Sequence, residues 1–404
     1  MAGDPDADVV RAYIARRASP TSSALEWLEV SPLAYEIDLD MLELADAWSL
    51  SLRHELSGWP CAAPDNPIVI ELNGRPVVTG LIDESTRRID KAGGAVLELQ
   101  GRDRGGRLVD SAAPLLNLTG LGILDLAREL VTAIGGFDLF PRVELQNATN
   151  RRLMVGGGSA RAKTSREPAI DTSPDRSDRR VRPGQTRAQI LEDWLTQAGL
   201  LGWSSADGST FIVGRPNYAQ EPQYELRIPA PGSARRRDGN VLTMSSRETS
   251  GDRYSRIVVL GSGAGNARNF GANVQRRGVA LQGPNPDGTG RSFTLPKDLI
   301  IVDDDLRSQA AAQARADHEM ALRESLAAQI TATVRGHSQA FGATGARANF
   351  AIDTLVRVVD EEIDAPGNPR DWLITRVHFT GGRDGQTSTL TMVPRGTDLR
   401  MTNG

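Results

Sequence analysis

The spacing of apolar residues between about positions 33 and 110 is that of β-strands. In AYEIDLDM (34–41) large apolar side chains alternate with acidic ones, and AWSLSLRHEL (47–56) and AVLELQGRD (95–103) alternate in the same way. Because successive side chains of a strand point to opposite faces, this pattern places one face of each strand in a core and the other in water.

A β-hairpin is predicted in the middle of this region. IVIELNGRPVVTGLIDE (68–84) places Asn73 and Gly74 between two apolar runs, and this dipeptide is the strongest short signal for a hairpin turn. With at least five strands joined by tight turns, residues 30–115 are expected to form a first antiparallel β-barrel domain.

Helical spacing replaces the strand pattern in the next part of the chain. It predicts one helix over residues 119–134 and a second over 186–198, followed by a hairpin around 207–208. Residues 155–182 carry almost no large apolar side chains and are expected to be a flexible loop. We therefore expect an α+β insert domain over residues 116–220.

Strand patterns return in the last part of the chain. A second β-barrel domain is expected over residues 221–404, including one long helix over 304–331 that begins with aspartates. The final hairpin (372–393) has the strand–turn–strand layout of residues 76–101. This likeness hints at two related barrels, so the predicted fold class is mainly β, with two related antiparallel barrels and an α+β insert.

Residues 1–29 are expected to form an N-terminal arm with a helix-like stretch over residues 6–17. No apolar run approaches the roughly 18 residues of a membrane-spanning helix, and the acidic beginning of the sequence lacks the pattern of a signal peptide. We therefore expect a soluble, reduced chain without a membrane anchor or a classical export signal.

Composition narrows the classes of function. Lys and Arg total 47 and Asp and Glu total 51, for a formal charge of −4. A slightly acidic chain is a poor candidate for binding nucleic acid or a membrane surface. Cys61 is the only cysteine, which excludes an internal disulfide framework and cysteine-based zinc ribbons.

Motifs for metal, nucleotide and nucleophile sites are incomplete. The strings that begin at His54 and His318 resemble zinc-protease motifs but lack the second histidine. In VVLGSGAGN (258–266) a non-glycine stands where a dinucleotide loop needs its third glycine. Ser159 and Ser262 do not complete GxSxG, and no phosphate-binding GxxxxGK motif occurs.

An acidic cluster and two basic strings have ordinary explanations. Four carboxylates that could serve a calcium loop or an acid/base pair lie between two apolar strands: Asp360, Glu361, Glu362 and Asp364. A solvent-facing turn is the favoured interpretation. The arginine strings at 179–182 and 235–237 lack interleaved aromatic residues, so we interpret them as solvated loops, with contact to an acidic neighbouring subunit left open. None of these motifs and clusters therefore predicts a catalytic, cofactor-binding or metal-binding site. We expect a structural protein rather than an enzyme.

The order of several short motifs resembles one family. Six segments match its pattern in sequence: Val78–Asp83, Leu97–Arg102, Arg107–Ala112, Val181–Thr186, Arg253–Gly261 and Trp372–Phe379. Together they are similar to the Mu-type phage tail protein P family, whose members are baseplate hub proteins similar to the T4-type hub and to the hub part of type VI secretion spikes. The departures are Leu81, where the family has tyrosine, the N-terminal arm and the arginine-rich insertion.

The resemblance implies a homotrimer in which each chain contributes two related barrels to a ring with pseudo-six-fold symmetry. Such a ring would adapt the hexameric tail tube to the trimeric central spike in the virion baseplate, after assembly in the host cytoplasm. The implied partners are further copies of this chain, tube or distal tail proteins and the spike, with wedge and tape-measure proteins as further candidates. DNA would pass through the lumen only as cargo, and no cofactor or enzymatic activity is implied.

Two other functions stay open on the sequence. The helix and hairpin at 183–216 have the look of a small LysM-like unit, which would suit a module that binds peptidoglycan in the cell wall. A tail-associated hydrolase using the acidic cluster at 360–364 is the other alternative.

Overall fold

The structure is a computed structural model of the chain. It describes residues 8–17, 25–53, 62–90, 94–114, 123–134, 137–146, 181, 183–198, 200–230, 232, 239–251, 253–261, 275–282, 295–303, 306, 309–326, 328–340, 347–361 and 370–395. The expected flexible loop at 155–182 therefore lies outside the described residues, except for Val181. None of the helices in these ranges is long and apolar enough to cross a bilayer.

Seven strands and a short helix form the first part of the chain. They are β1 (Val10–Arg17), β2 (Leu25–Val30), β3 (Ala34–Asp40), β4 (Ala47–Arg53), β5 (Pro67–Leu72), β6 (Arg75–Asp90), β7 (Gly94–Asp103) and α1 (Gly106–Asp110). The hairpin turn between β5 and β6 falls on Asn73 and Gly74, as predicted, and both have positive φ, at 54° and 73°.

The prediction of a helix-like stretch near the N-terminus is wrong. Residues 10–17 of this stretch form β1, which pairs antiparallel with β2 and β5. Ala12 and Ile14 are fully buried in the main core, so alternate positions of this segment serve a sheet, and tertiary pairing overrides the local pattern.

The insert is a small α+β unit with its own core. Its elements are α2 (Ile123–Val131), β8 (Ala133–Ile134), β9 (Phe137–Asp138), β10 (Arg142–Leu145), α3 (Arg187–Ala198), β11 (Leu201–Ser204) and β12 (Thr210–Gly214). The strands order as β10-β12-β11, and the apolar faces of both helices pack against them through residues such as Leu126, Leu130, Leu191 and Phe211. The second helix and the hairpin occur where the sequence predicts them. The first helix ends at Val131, and Ala133 and Ile134, which the sequence places in it, form β8 instead.

A capping box fixes the beginning of α3. The backbone N–H of Gln189 donates to Thr186 Oγ1 at 3.2 Å, and the backbone N–H of Thr186 donates to Gln189 Oε1 at 3.0 Å. We expect Thr186→Ala to lower the free energy of unfolding by about 1 kcal/mol, measured by denaturant titration. Thr186→Ser keeps the hydroxyl and should cost little, and equal losses in both variants would contradict a capping role.

The last part of the chain returns to strands around one long helix. Its elements are β13 (Tyr224–Ile228), β14 (Val241–Glu248), β15 (Arg256–Gly261), β16 (Arg276–Leu281), β17 (Asp298–Asp303), α4 (Gln309–Leu326), β18 (Ala328–Arg335), β19 (Ser338–Ala340), β20 (Arg347–Asn349), β21 (Thr354–Asp360), β22 (Arg370–Gly382) and β23 (Gly385–Pro394).

The long helix predicted over residues 304–331 is too long at both ends. Leu306 precedes the observed helix, which begins at Gln309 and ends at Leu326. The residues from Ala328 onward, which the sequence places in the helix, form β18 instead. In that strand Ile330, Ala332 and Val334 are buried at alternate positions, the period of a strand with one face in the core. The helix packs through Ala316 and Met320 on the separate small sheet β16-β15-β17.

One 13-stranded sheet joins the two expected barrel regions. Its main path is β14-β18-β23-β22-β3-β4-β7-β6-β5-β1-β2, with β21 and β13 branching from β22. The mainly β class is confirmed. Strand pairing among the described residues does not close either region into a barrel, so the barrel form of each domain and the domain boundaries stay predictions.

The strand order repeats within this sheet. The first half runs β3-β4-β7-β6-β5, and the second half runs β14-β18-β23-β22-β21. Every neighbouring pair in both runs is antiparallel. The hairpins β6–β7 and β22–β23 occupy the same place in the two runs, as their similar sequence layout predicts.

The repeat extends to the register of the two hairpins. The ladder of β6 with β7 shifts just after Ile82, and the ladder of β22 with β23 shifts just after Ile374. Ile82 precedes the last paired residue, Asp90, by the same number of positions as Ile374 precedes Gly382. β-Bulges are specific structural features of sheets rather than chance irregularities. The bulge at this shared position therefore aligns the two halves residue by residue.

Candidate functional site

The two halves meet where β22 lies beside β3. On one side β22 pairs with β23 from Trp372 to Gly382. On its other side the first part of β22 pairs with β21, and residues 376–381 pair antiparallel with residues 35–40 of β3. On this side, the first part of the long strand pairs within its own half, and its second part pairs with the other half.

An ion pair lies on the outer face of this junction. Arg376 donates from Nε to Asp38 Oδ1 at 2.7 Å and donates a second bond to the other carboxylate oxygen. The hydrogen bonds that Arg376 donates to the Asp38 carboxylate raise the pKa of Arg376, so the guanidinium stays charged. The pair is about half exposed on the arginine side, which limits its contribution to roughly 0–1 kcal/mol. Its geometry nevertheless favours one register of the two strands.

The inner face of the junction is apolar. Val377 and Phe379 of β22 are fully buried and lie opposite Leu39 and Ile37 of β3. All four belong to one core cluster that includes residues of both halves. Because burial of a large apolar side chain contributes about 1.5–3 kcal/mol, this shared core, rather than the surface ion pair, holds the halves together.

A buried polar network lies at one end of the junction. His337 is fully buried, with Tyr35 Oη 2.6 Å from Nε2 and Ser388 Oγ 2.9 Å from Nδ1. Asp8 accepts hydrogen bonds from the His337 backbone N–H and from the Ser338 hydroxyl. Burial lowers the pKa of His337 to about 4, so the imidazole is neutral in the folded protein.

This network is not a catalytic triad. Both imidazole nitrogens of His337 are occupied by hydroxyl groups, while the Asp8 carboxylate binds its backbone rather than its ring. A general base needs an accessible nucleophile and a reachable proton, and Ser388 is fully buried. The network joins the N-terminal segment, β3 and β23, which is a structural role.

A second group of polar contacts attaches the insert to the first half. Asp103 accepts a hydrogen bond from the Ser204 hydroxyl, and burial raises the pKa of this carboxyl to about 6. Arg104 donates to the backbone oxygens of Leu139 and Gly208, both at 2.9 Å. The insert is therefore held against the end of β7.

The residues singled out in the incomplete motifs do not come together. Glu319, which follows His318 in one of the zinc-protease-like strings, lies buried in α4. Its carboxylate is 2.7 Å from Arg315 and 3.3 Å from Arg323, so it is an ion-paired core residue. Asp360 is buried at the end of β21, so the solvent-facing turn expected for the acidic cluster is wrong for this carboxylate. Glu361 follows it and donates its backbone N–H to the carbonyl oxygen of Ile228.

The other candidates give no site that can be described. The following lie outside the described residues: His54, Ser159, Ser262, Glu362, Asp364, Arg179, Arg180, Arg182, Arg235, Arg236 and Arg237. Within the ranges that the structure describes, no group of three His, Cys, Asp or Glu side chains could hold a metal ion.

One protein-family model matches the first half of the repeat. Residues 32–103 match the family model of the Mu phage baseplate assembly protein GpP-like, N-terminal. The resemblance inferred from the motifs is confirmed. The matched segment runs from just before β3 to the end of β7, so it covers the whole five-strand run of that half. A search of curated proteins found no match.

Solved structures share the fold over nearly the whole chain. The tail protein from Neisseria meningitidis MC58 is 22% identical and has a TM-score of 0.68, covering 97% of this chain and 98% of its own. The 43 kDa tail protein of prophage MuSo2 from Shewanella oneidensis is 16% identical with a TM-score of 0.67, covering 97% and 99%. These likenesses show that the chain shares the fold of these two tail proteins.

A type VI secretion protein extends the likeness. An E. coli component of that system, described as structurally similar to the T4 bacteriophage tail proteins gp27 and gp5, is 11% identical. Its TM-score is 0.54, with 93% of this chain and 76% of that chain covered. The fold is thus shared by a component of a type VI secretion system as well.

Proposed function

We propose that this chain is the structural baseplate hub protein of a phage tail or phage-like particle, and that three copies form a ring of six related halves. The observation that carries this proposal is the repeated strand order, β3-β4-β7-β6-β5 and β14-β18-β23-β22-β21, within one sheet. The match of residues 32–103 to a baseplate assembly protein family supports a place in the tail baseplate.

Two related halves per chain suit a change of symmetry. Three copies would place six similar β units around one axis, which matches a hexameric tail tube, while the inserts and other unequal parts keep three-fold symmetry for a trimeric spike. Head-to-tail contacts of this kind close into a ring when the rotation between neighbours is right. The ring would therefore adapt the tube to the spike.

The partners and location follow from this role. Tube or distal tail proteins would bind one face of the ring and the spike the other, with wedge and tape-measure proteins around them in the virion baseplate. Assembly would take place in the host cytoplasm. DNA would cross the lumen as cargo, and a formal charge of −4 gives it no strong electrostatic reason to bind there. The role is structural and requires no catalysis.

The mass of the purified chain in solution tests the proposal. We expect trimers by analytical ultracentrifugation and rings with a central pore in negative-stain electron micrographs. A chain that stays monomeric at every accessible concentration would overturn the ring. Binding of the chain to purified peptidoglycan in place of ring formation would favour the cell-wall alternative.

A further inference from the structure

Several strand edges are open in the described part of the large sheet, and two of them are related by the repeat. Beyond Ile82, β6 has β7 on one side, and no described strand pairs with its other side. The same holds for β14, which pairs with β18 alone among the described strands, while β13 meets it only at its beginning, through the side chain of Asn240. Open edges present unpaired backbone groups and are sites of pairing with another chain.

The repeat gives each open edge a paired counterpart. In the alignment of the two halves, the open part of β6 corresponds to residues 376–381 of β22, and β14 corresponds to β3. These are the two segments that pair at the junction inside the chain. The molecule therefore contains one complete junction and the two separate sides of a second one.

We propose that residues 84–89 of β6 in one copy pair antiparallel with residues 244–249, in and just after β14, of the next copy. The register follows from the internal junction, where residue 376 lies opposite 40 and residue 381 opposite 35. Carried through the alignment, Glu84 lies opposite Thr249, and Ile89 lies opposite Met244. That three copies close the ring rests on the proposed function, whereas the pairing itself rests on the repeat.

The charges at the two edges fit this register. At the internal junction the outer ion pair is Arg376 with Asp38. Their counterparts are Glu84 and Arg247, so the signs are exchanged and the pair is again complementary. Both side chains are exposed in the single copy. Opposite charges at neighbouring positions across two strands stabilise the pairing, and like charges destabilise it.

An exposed apolar side chain fits the same contact. Ile89 is 69% exposed in the single copy, although it lies on the long hairpin that carries the family motifs. In the proposed register it faces Met244, which is half-buried and packs against the main core. Pairing would therefore extend that core across the subunit contact and remove Ile89 from water.

The third open edge does not compete for this pairing. The outer side of β2 is unpaired among the described strands and exposes Trp27 at 49%. It has no counterpart in the second half, because the strand beyond β21 is β13, which pairs in parallel and ends the branch. The internal junction therefore offers no template for β2.

Disulfide trapping tests the register. Cys61 is the only cysteine, so Cys61→Ser gives a background without thiols. In that background we expect Arg88→Cys with Ser245→Cys to form covalent links between copies under mild oxidation, ending at a trimer on a non-reducing gel. Arg88→Cys with Ser246→Cys is the matched control, because residue 246 points to the opposite face of the strand.

A charge exchange provides the second test. Glu84→Arg alone and Arg247→Glu alone should each weaken assembly about tenfold, measured by sedimentation over a concentration series. The double variant, in which the charges are exchanged, should assemble like the parent. Glu144→Arg makes the same charge change on the exposed side of β10 and should have no effect.

The outcomes separate this inference from the proposed function. Trimers of the parent without links at 88 and 245, and without rescue by the double variant, would overturn the pairing and leave the hub proposal standing. Links at 88 and 245 in rings of another size would support the pairing and overturn the trimer. A parent that never assembles and never links would overturn both.

Discussion

Gly101→Ala should lower the free energy of unfolding by about 3 kcal/mol or more, enough to leave much of the chain unfolded. A β-carbon at this position would stand 2.1 Å from the backbone oxygen of Leu81 and 2.5 Å from the ring of Trp48. The oxygen belongs to the neighbouring strand and cannot rotate away. Trp48 is buried, so its ring has no space to move into. The glycine of the Leu97–Arg102 motif is thus explained by close packing of β6, β7 and β4.

Gly382→Ala is the matched control for this variant. Gly382 also lies in a strand of a long hairpin, but there the nearest atom to an added β-carbon is 3.4 Å away, which is ordinary contact. We expect this variant to stay within about 0.5 kcal/mol of the parent. Urea denaturation followed by tryptophan fluorescence and circular dichroism measures both. Equal stability of the two variants would show that β7 can shift to make room.

Elements that depend on a few adjacent residues could be predicted from the sequence. The turn at Asn73 and Gly74, the capped helix at α3 and the hairpin around Asp207 depend on a few adjacent residues, and each occurs where predicted. The strand β18 shows the limit. Its alanines follow directly on an alanine-rich helix, so helical propensity favours continuing that helix. The alternation of Ile330, Ala332 and Val334 is that of a strand, and pairing with β23 outweighs the helical propensity.

The repeat is harder to recognise in the sequence for a topological reason. In the first half β3 and β4 are joined by a short turn, residues 41–46, whereas their counterparts β14 and β18 are separated by the small sheet and α4. An insertion of this size removes any constant sequence period. The shared bulge is equally hidden, because a register shift depends on the partner strand and not on the residues at Ile82 or Ile374 alone.

The polar network at the junction could not be predicted either. Asp8 belongs to the segment expected to be an arm, and His337 is a single histidine in a turn with no motif around it. Only the tertiary fold brings them to Tyr35 and Ser388, whose positions are far apart in the chain. A buried histidine of this kind has no local signature.

We expect His337 to make the folded protein less stable as the pH falls from 7 to 4.5, and we expect His337→Gln to remove this part of the pH dependence. The unfolded histidine has a pKa near 6.5, while burial lowers the pKa of the folded one to about 4. Between these values the unfolded chain binds a proton that the folded chain does not, so this group's contribution to stability is complete above pH 6.5 and falls as the pH falls toward 4. The expected loss between pH 7 and 4.5 is about 2–3 kcal/mol.

The difference between parent and variant isolates this effect from the carboxylates. Asp103, whose pKa burial raises to about 6, acts in the opposite sense, because protonation as the pH falls relieves its cost in the folded state. That contribution is the same in both proteins and cancels in the comparison. His337→Gln should be less stable than the parent at pH 7, since it disturbs the contacts with Tyr35 and Ser388, and this deficit should shrink by about 2–3 kcal/mol at pH 4.5. Urea titrations at the two pH values measure it. A deficit that does not change with pH would mean that His337 gains its proton as readily in the folded chain as in the unfolded one, and that its burial does not control its charge.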